Sequence, residues 1–241
     1  QMDAQVEEEG EIVLSAKLFV DMMRRMNGDT VTIHTDEKYL TEIKSGATEF
    51  TILGIPSDEF PEIPVVQEEQ SISLPQHLLK SMIDQTLFAI STNDSKPVHT
   101  GSLFQLEDGE LRVVSVDGFR LALRREKVSA EGSAQFIIPG KTLSEMNKLL
   151  SDEEDEETRL YLSRKHVVVQ IGQYKVISRL LEGEFLDYKA AIPAGSNSTV
   201  TVDVRPLIDS IERTSLLISD RLKSPLRIHF EENQIKMSCS T

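Results

Sequence analysis

Ile12-Val13-Leu14-Ser15-Ala16-Lys17-Leu18-Phe19-Val20-Asp21-Met22-Met23-Arg24-Arg25-Met26 is echoed by Phe136-Ile137-Ile138-Pro139-Gly140-Lys141-Thr142-Leu143-Ser144-Glu145-Met146-Asn147-Lys148-Leu149-Leu150 at a constant offset of 124 residues. Lys17 falls on Lys141, Phe19 on Leu143, Asp21 on Glu145, Met22 on Met146 and Arg24 on Lys148. Self-similarity at long period means that one structural unit is used more than once, so it constrains the fold before any local assignment. Each copy reads as a short apolar strand running into an amphipathic helix. Alternating runs follow in both: 30–34, 39–44 and 49–55 in the first, 158–162, 166–171 and 174–180 in the second. Such period-two alternation predicts half-buried strands. Both copies close on similar words, Asp58-Glu59-Phe60-Pro61-Glu62 and Gly183-Glu184-Phe185-Leu186-Asp187.

A second pair interleaves with the first. Residues 79–91 match 207–219, with Ile83 over Ile211, Thr86 over Thr214 and Ile90-Ser91 over Ile218-Ser219. Each is expected to be a helix preceded by a short strand. Downstream, Leu106-Glu107-Asp108-Gly109-Glu110-Leu111 answers Phe230-Glu231-Glu232-Asn233-Gln234-Ile235, two hairpins whose turns carry Gly or Asn where positive φ is tolerated. The expected fold class is therefore α+β, with helices on one face of antiparallel sheets. Four half-units are expected, at about 10–66, 71–130, 134–194 and 198–241, of which only the middle two complete a domain. The domain division follows as 1–66, 67–194 and 195–241, in a chain read as part of a longer protein.

The four expected helices, 15–26, 75–91, 140–151 and 205–219, carry a formal charge of +3 out of a total of −14, so everything else carries −17. On a helical wheel Leu18, Phe19, Met22, Met23 and Met26 form the apolar arc of the first helix, and Lys17 and Arg24 share the opposite side. In the third helix Leu143, Met146 and Leu150 oppose Lys141 and Lys148. A solvated face explains these cations by itself. A locally positive surface on an acidic protein is the sharper explanation, and cations on phosphates position a duplex without reading it.

Chemistry finds little support. The histidines His34, His77, His99, His166 and His229 lack metal-ligand spacing, and neither a phosphate-binding glycine loop nor a nucleophile elbow occurs. The single cysteine, Cys239, makes no internal disulfide, which fits a reducing compartment. Asp152–Glu157 is an acidic loop without the spacing or central glycine of a calcium loop. No run approaches the eighteen apolar residues of a membrane span. Two rivals remain on residues alone: a repeat-built scaffold that never meets nucleic acid, and an enzyme using carboxylates such as Asp117 and Glu184, which no spacing singles out.

The stretch Gly109-Glu110-Leu111-Arg112-Val113-Val114-Ser115-Val116-Asp117-Gly118-Phe119-Arg120-Leu121-Ala122 resembles a strand and its following word in the bacterial DNA sliding clamps. Ile138-Pro139-Gly140-Lys141 and Leu181-Glu182-Gly183-Glu184-Phe185-Leu186-Asp187-Tyr188 are similar to that family in the same order and spacing. The resemblance implies three similar domains, each of two half-units, closing as a head-to-tail dimeric ring with helices inside, around double-stranded DNA. It implies a non-enzymatic bacterial cytoplasmic protein without metal or cofactor. Its partners would be the polymerase alpha subunit, the clamp loader and other proteins carrying a short peptide motif. Carried over by motif position, the peptide cleft would include His99, Val116, Gly118, Phe119, Arg120, Leu121, Leu186 and Leu222. Lys17, Arg24, Lys141 and Lys148 would face the duplex, with Lys96 and Arg213 in support. Two positions depart from the pattern: Leu186 stands where the family has proline, and His99 where an apolar residue is expected. The other wall of the cleft is expected outside this stretch of chain.

Overall fold

A helix that must bury one face and a strand whose free edge must be paired together dictate how the repeat assembles. The computed structural model describes residues 4–61, 70–93, 95–130, 132–216, 218 and 225–239. Two compact units result, Gln1–Leu186 and Asp187–Thr241.

In the first unit, α1 (Ala16–Met23) is followed by β1 (Thr32–Thr35), β2 (Leu40–Ser45) and β3 (Thr48–Leu53), an antiparallel sheet of order β1-β2-β3. Next come β4 (Gln70–Pro75), α2 (Gln76–Asp84), β5 (Gly101–Glu107), β6 (Glu110–Val116) and β7 (Leu121–Lys127). The same series then recurs as β8 (Ala134–Pro139), α3 (Gly140–Leu149), β9 (Glu157–Leu162), β10 (His166–Ile171) and β11 (Tyr174–Arg179). The two half-units exchange their leading strands: β4 closes the sheet β11-β10-β9-β4, and β8 closes β7-β6-β5-β8. Ile72 stands opposite Leu160, and Phe104 opposite Phe136.

Alternation along the strands builds one shared core. Ile72, Leu74, Phe104, Leu106, Leu111, Val113, Ile138, Leu160, Val167 and Val169 point into it and meet Leu79, Met82 and Ile83 of α2 and Leu143 and Met146 of α3. The Phe104 and Phe136 rings stack at 5.4 Å between centroids. Each helix follows a proline that cannot donate to a ladder and so ends its strand cleanly, Pro75 before α2 and Pro139 before α3. The Leu106–Leu111 hairpin turns on Asp108 and Gly109, both at positive φ. The first copy repeats the closing contact of the second: Val13 and Ile55 exchange backbone bonds of 3.0 and 2.9 Å, just as Leu181 N–H donates to Ile137 O at 2.9 Å.

The second unit holds α4 (Tyr188–Ala191), α5 (Val204–Ser215) and the hairpin of β12 (Arg227–Glu231) and β13 (Gln234–Ser238). Asp187 caps α4 by accepting from Ala190 N–H at 3.4 Å. Asn233 takes positive φ at the hairpin turn.

Several expectations need correction. The helix expected over 75–91 stops at Asp84: the backbone leaves helical geometry at Thr86, with φ −125° and ψ −36°, and the chain continues as a 3-10 turn over Leu87–Ala89. The first and last helices are shorter than expected, ending at Met23 and Ser215. Of the apolar arc on α1 only Met22 is buried, and Leu18 is 45% exposed. Among the described residues no strand leads directly into α5, and residues 200–203 form no regular element. Among the described residues no helix is long and apolar enough to cross a membrane, and no cluster of side chains suits a metal ion.

Candidate peptide site and helix cations

The register of β6 against β7 pairs Val116 with Leu121 and leaves Asp117–Arg120 as the connecting loop. Val116 is buried and Leu121 half-buried, so both ends of the loop are anchored in the sheet. Gly118 adopts φ +91°, a conformation that a side chain would strain. Asp117 organises the rest. Its Oδ1 accepts from Phe119 N–H at 3.0 Å and Arg120 N–H at 3.1 Å, and its Oδ2 accepts from Arg120 Nε at 2.9 Å. The Phe119 amide, and then the amide and guanidinium of Arg120, hold the Asp117 carboxyl below the usual carboxylate range. Phe119 is left fully exposed, and Arg120 lies over the Phe88 ring, with Cζ 5.6 Å from its centroid.

A second cluster forms on the Pro97–Thr100 turn. The His99 ring meets Phe185 edge-on at 5.3 Å, and His99 N–H donates to Lys96 O at 3.0 Å. Burial, with Lys96 adding its charge, holds the imidazole below its ordinary pKa. Gly183, at φ +134°, lets its segment lie flat on this turn, since a Cβ there would come within 2.6 Å of Val98 Cγ1. Phe185 is buried while its neighbour Leu186 is 43% exposed.

Both clusters depend on one segment. Leu87–Ala89 packs on β6 and β7 and carries Phe88 to Arg120, while two residues on Ser91 N–H donates to His99 O at 2.8 Å. Of the expected cleft residues, the structure thus gathers Val116, Gly118, Phe119, Arg120 and Leu121 on one loop and its anchors. It gathers His99 with Phe185, the residue before Leu186, in the other cluster. Leu222 lies outside the described residues. Phe88 and Asp117 were not among the residues assigned to the cleft. The Asp-Gly pair signalled a turn, but nothing local in Thr86-Leu87-Phe88-Ala89 distinguishes an exposed phenylalanine from a helical core residue.

The cations are exposed as the helical wheel requires. Lys17 on α1 and Arg24 at its C-cap are exposed where Met22 is buried, and Lys141 and Lys148 are exposed on α3 where Leu143 and Met146 are buried. Lys148 pairs with Glu145 at 2.7 Å. Lys96 is exposed before its turn, and Arg213 on α5 donates to Ser210 Oγ at 3.0 Å.

Antiparallel sheets closed by exchanged strands, with one helix per half-unit packed beneath, define the clamp class of α+β proteins. The model of the DNA polymerase III beta subunit N-terminal domain matches residues 1–64, and that of its central domain matches residues 73–187. The beta sliding clamp of Bacillus subtilis is 36% identical over 214 residues, covering 88% of this chain and 56% of that protein. The beta sliding clamp of Staphylococcus epidermidis is 32% identical over 238 residues, 98% of this chain and 63% of the relative. The crystal structure of the Bacillus subtilis DNA polymerase sliding clamp superposes with a TM-score of 0.88 at 31% identity, over 98% of this chain and 65% of that one. The DNA polymerase III subunit beta of Pseudomonas aeruginosa gives 0.89 at 27%, over 97% and 64%. This chain belongs to the DNA polymerase III beta subunit family, the bacterial sliding clamps. It spans 56% and 63% of the length of these two relatives, the clamps of Bacillus subtilis and Staphylococcus epidermidis.

Proposed function

We propose that this chain serves as a non-catalytic sliding clamp in the bacterial cytoplasm, encircling duplex DNA as a head-to-tail homodimer and tethering the replicative polymerase and other partners. The domains on this reading are 1–66, 67–194 and 195–241. Lys17, Arg24, Lys141 and Lys148, with Lys96 and Arg213, face the phosphates, and the overall charge of −14 keeps that contact weak. Topological closure then replaces affinity and permits sliding. The polymerase alpha subunit, the clamp loader and other partners insert a short peptide against His99, Val116, Gly118, Phe119, Arg120, Leu121 and Leu186.

The observation that carries this reading is the Asp117-organised loop. It holds an arginine and a fully exposed phenylalanine beside a half-buried leucine, in a chain whose family is established. A few such residues at the centre of a contact supply most of its affinity. The test is the fluorescence anisotropy of a fluorescein-labelled peptide ending in Leu-Phe, titrated with the protein and its Leu121→Ala variant. Binding that weakens about tenfold in the variant supports the site, in line with the loss of a central apolar contact; equal binding by both proteins places the peptide elsewhere. Retention on circular DNA with loss from linear ends distinguishes a clamp from a scaffold, which treats the two alike.

A further inference from the structure

Phe88 is an aromatic residue whose position the core does not explain. Its neighbour Ala89 is fully buried and anchors the 3-10 turn, yet Phe88 itself is 59% exposed. The helix ends at Asp84, and the backbone turn at Thr86, with φ −125° and ψ −36°, leads into the 3-10 turn that carries residue 88 away from it. The ring then lies under the Arg120 guanidinium, with Cζ 5.6 Å from the centroid. Asp117 grips the same guanidinium along its Nε edge at 2.9 Å. One face and one edge are therefore fixed, and among the described residues Nη1 and Nη2 have no acceptor. The Asp117 carboxylate takes two amides on Oδ1 and the Arg120 Nε on Oδ2.

We propose that Phe88 is a positioning residue for Arg120 in the peptide site. The ring and Asp117 together hold the guanidinium so that Nη1 and Nη2 meet acceptor oxygens of the bound peptide. This rests on the peptide-site reading above and adds to it a residue from a different segment of the chain. Without the ring the arginine keeps one anchor, the Asp117 edge, and rotates about it. Binding then has to restore the order that Phe88 supplies in advance. Cation–π contacts at exposed sites correspond to about a two- to fivefold change in affinity.

The experiment measures anisotropy of the Leu-Phe peptide with the wild-type protein, Phe88→Ala, Phe88→Leu, Phe88→Trp, Arg120→Ala, Leu121→Ala and the Phe88→Ala/Arg120→Ala double variant, with a thermal melt of each. Phe88→Ala and Phe88→Leu should weaken binding about two- to fivefold with an unchanged melt, and Phe88→Trp should restore it. In the Arg120→Ala background, Phe88→Ala should cost nothing further, because the group it positions is gone. Wild-type affinity in Phe88→Leu, or an undiminished loss in the Arg120→Ala background, overturns the proposal, since either shows that the ring acts as bulk alone. Wild-type binding by Leu121→Ala and Arg120→Ala as well overturns the site itself, and the role of Phe88 with it.

Discussion

Replacing Gly101 by alanine tests the strand exchange directly. Gly101 opens β5 opposite Pro139 of β8, at the seam where one half-unit closes the sheet of the other. An added Cβ would lie inside van der Waals contact of the Ile138 carbonyl oxygen, and 2.9 Å from both Ile138 C and Leu181 Cδ1. Backbone φ at Gly101 is −133°, which any residue adopts, so the whole cost is spatial. Leu181 can rotate away, but the Ile138 carbonyl belongs to a strand that is itself buried. Overpacking of this kind costs about 1–3 kcal/mol. Loosening the Gly101–Pro139 and Ser102–Ile138 pairs adds roughly 1 kcal/mol for a weakened ladder bond. The sum, about 2–4 kcal/mol, corresponds to a fall of about 1 M in the urea midpoint at a slope near 3 kcal/mol/M. Circular dichroism during a urea titration measures it, with Gly10→Ala as the control, because a Cβ at Gly10 has no atom within 4 Å. A midpoint in Gly101→Ala that coincides with the control would falsify the argument, for it would mean that β5 and β8 do not meet as closely as described.

Removing the buried ring in Phe104→Ala should cost about 3–5 kcal/mol in the same titration, whereas Phe230→Ala, at a position 60% exposed, should shift the midpoint far less. Neutralising Lys17, Arg24 or Lys141 to glutamine should each lower the slope of log affinity for short duplex DNA against log salt by about one unit; slopes that do not move would remove those residues from the phosphate contact. His99 makes stability pH-dependent with a definite sign. Its folded pKa lies below that of the unfolded chain, so the unfolded state takes up the proton first. The contribution is complete above the unfolded value of about 6.5 and declines as pH falls toward and through the folded one. His99→Gln should flatten this part of a stability profile between pH 7 and 5; an unchanged slope there would show that the imidazole titrates as in the unfolded chain.

Much of the fold was legible because the repeat is written in apolar spacing: Lys17 over Lys141 and Met22 over Met146 placed two helices and the strands behind them. The exchange of β4 and β8 was not, since an alternating strand such as Gln70–Pro75 declares which face is buried but not which edge it joins. The end of α2 was misjudged for a related reason. Leu87, Phe88 and Ile90 continue an apolar helical pattern, and only the backbone turn at Thr86, with φ −125°, shows where the helix stops. That same turn hid Phe88. The loop at Asp117-Gly118 was visible as a turn, because Gly can take positive φ and a short carboxylate can bond the next amides. Its grip on Arg120 depends on side-chain geometry that spacing does not encode.

The exchanged strands also carry a consequence for synthesis. Ile72 pairs with Leu160, so a chain growing from its N-terminus completes β4 some 88 residues before β9 exists to receive it. At about 5–20 residues per second that interval lasts roughly 4–18 s. Throughout it the β4 edge is open, and α2 has only part of the surface it will later cover. The β4 edge is in need of shelter while residues 76–156 are being made, and a pause in translation just before residue 157 would lengthen that exposure more than a pause anywhere after residue 162.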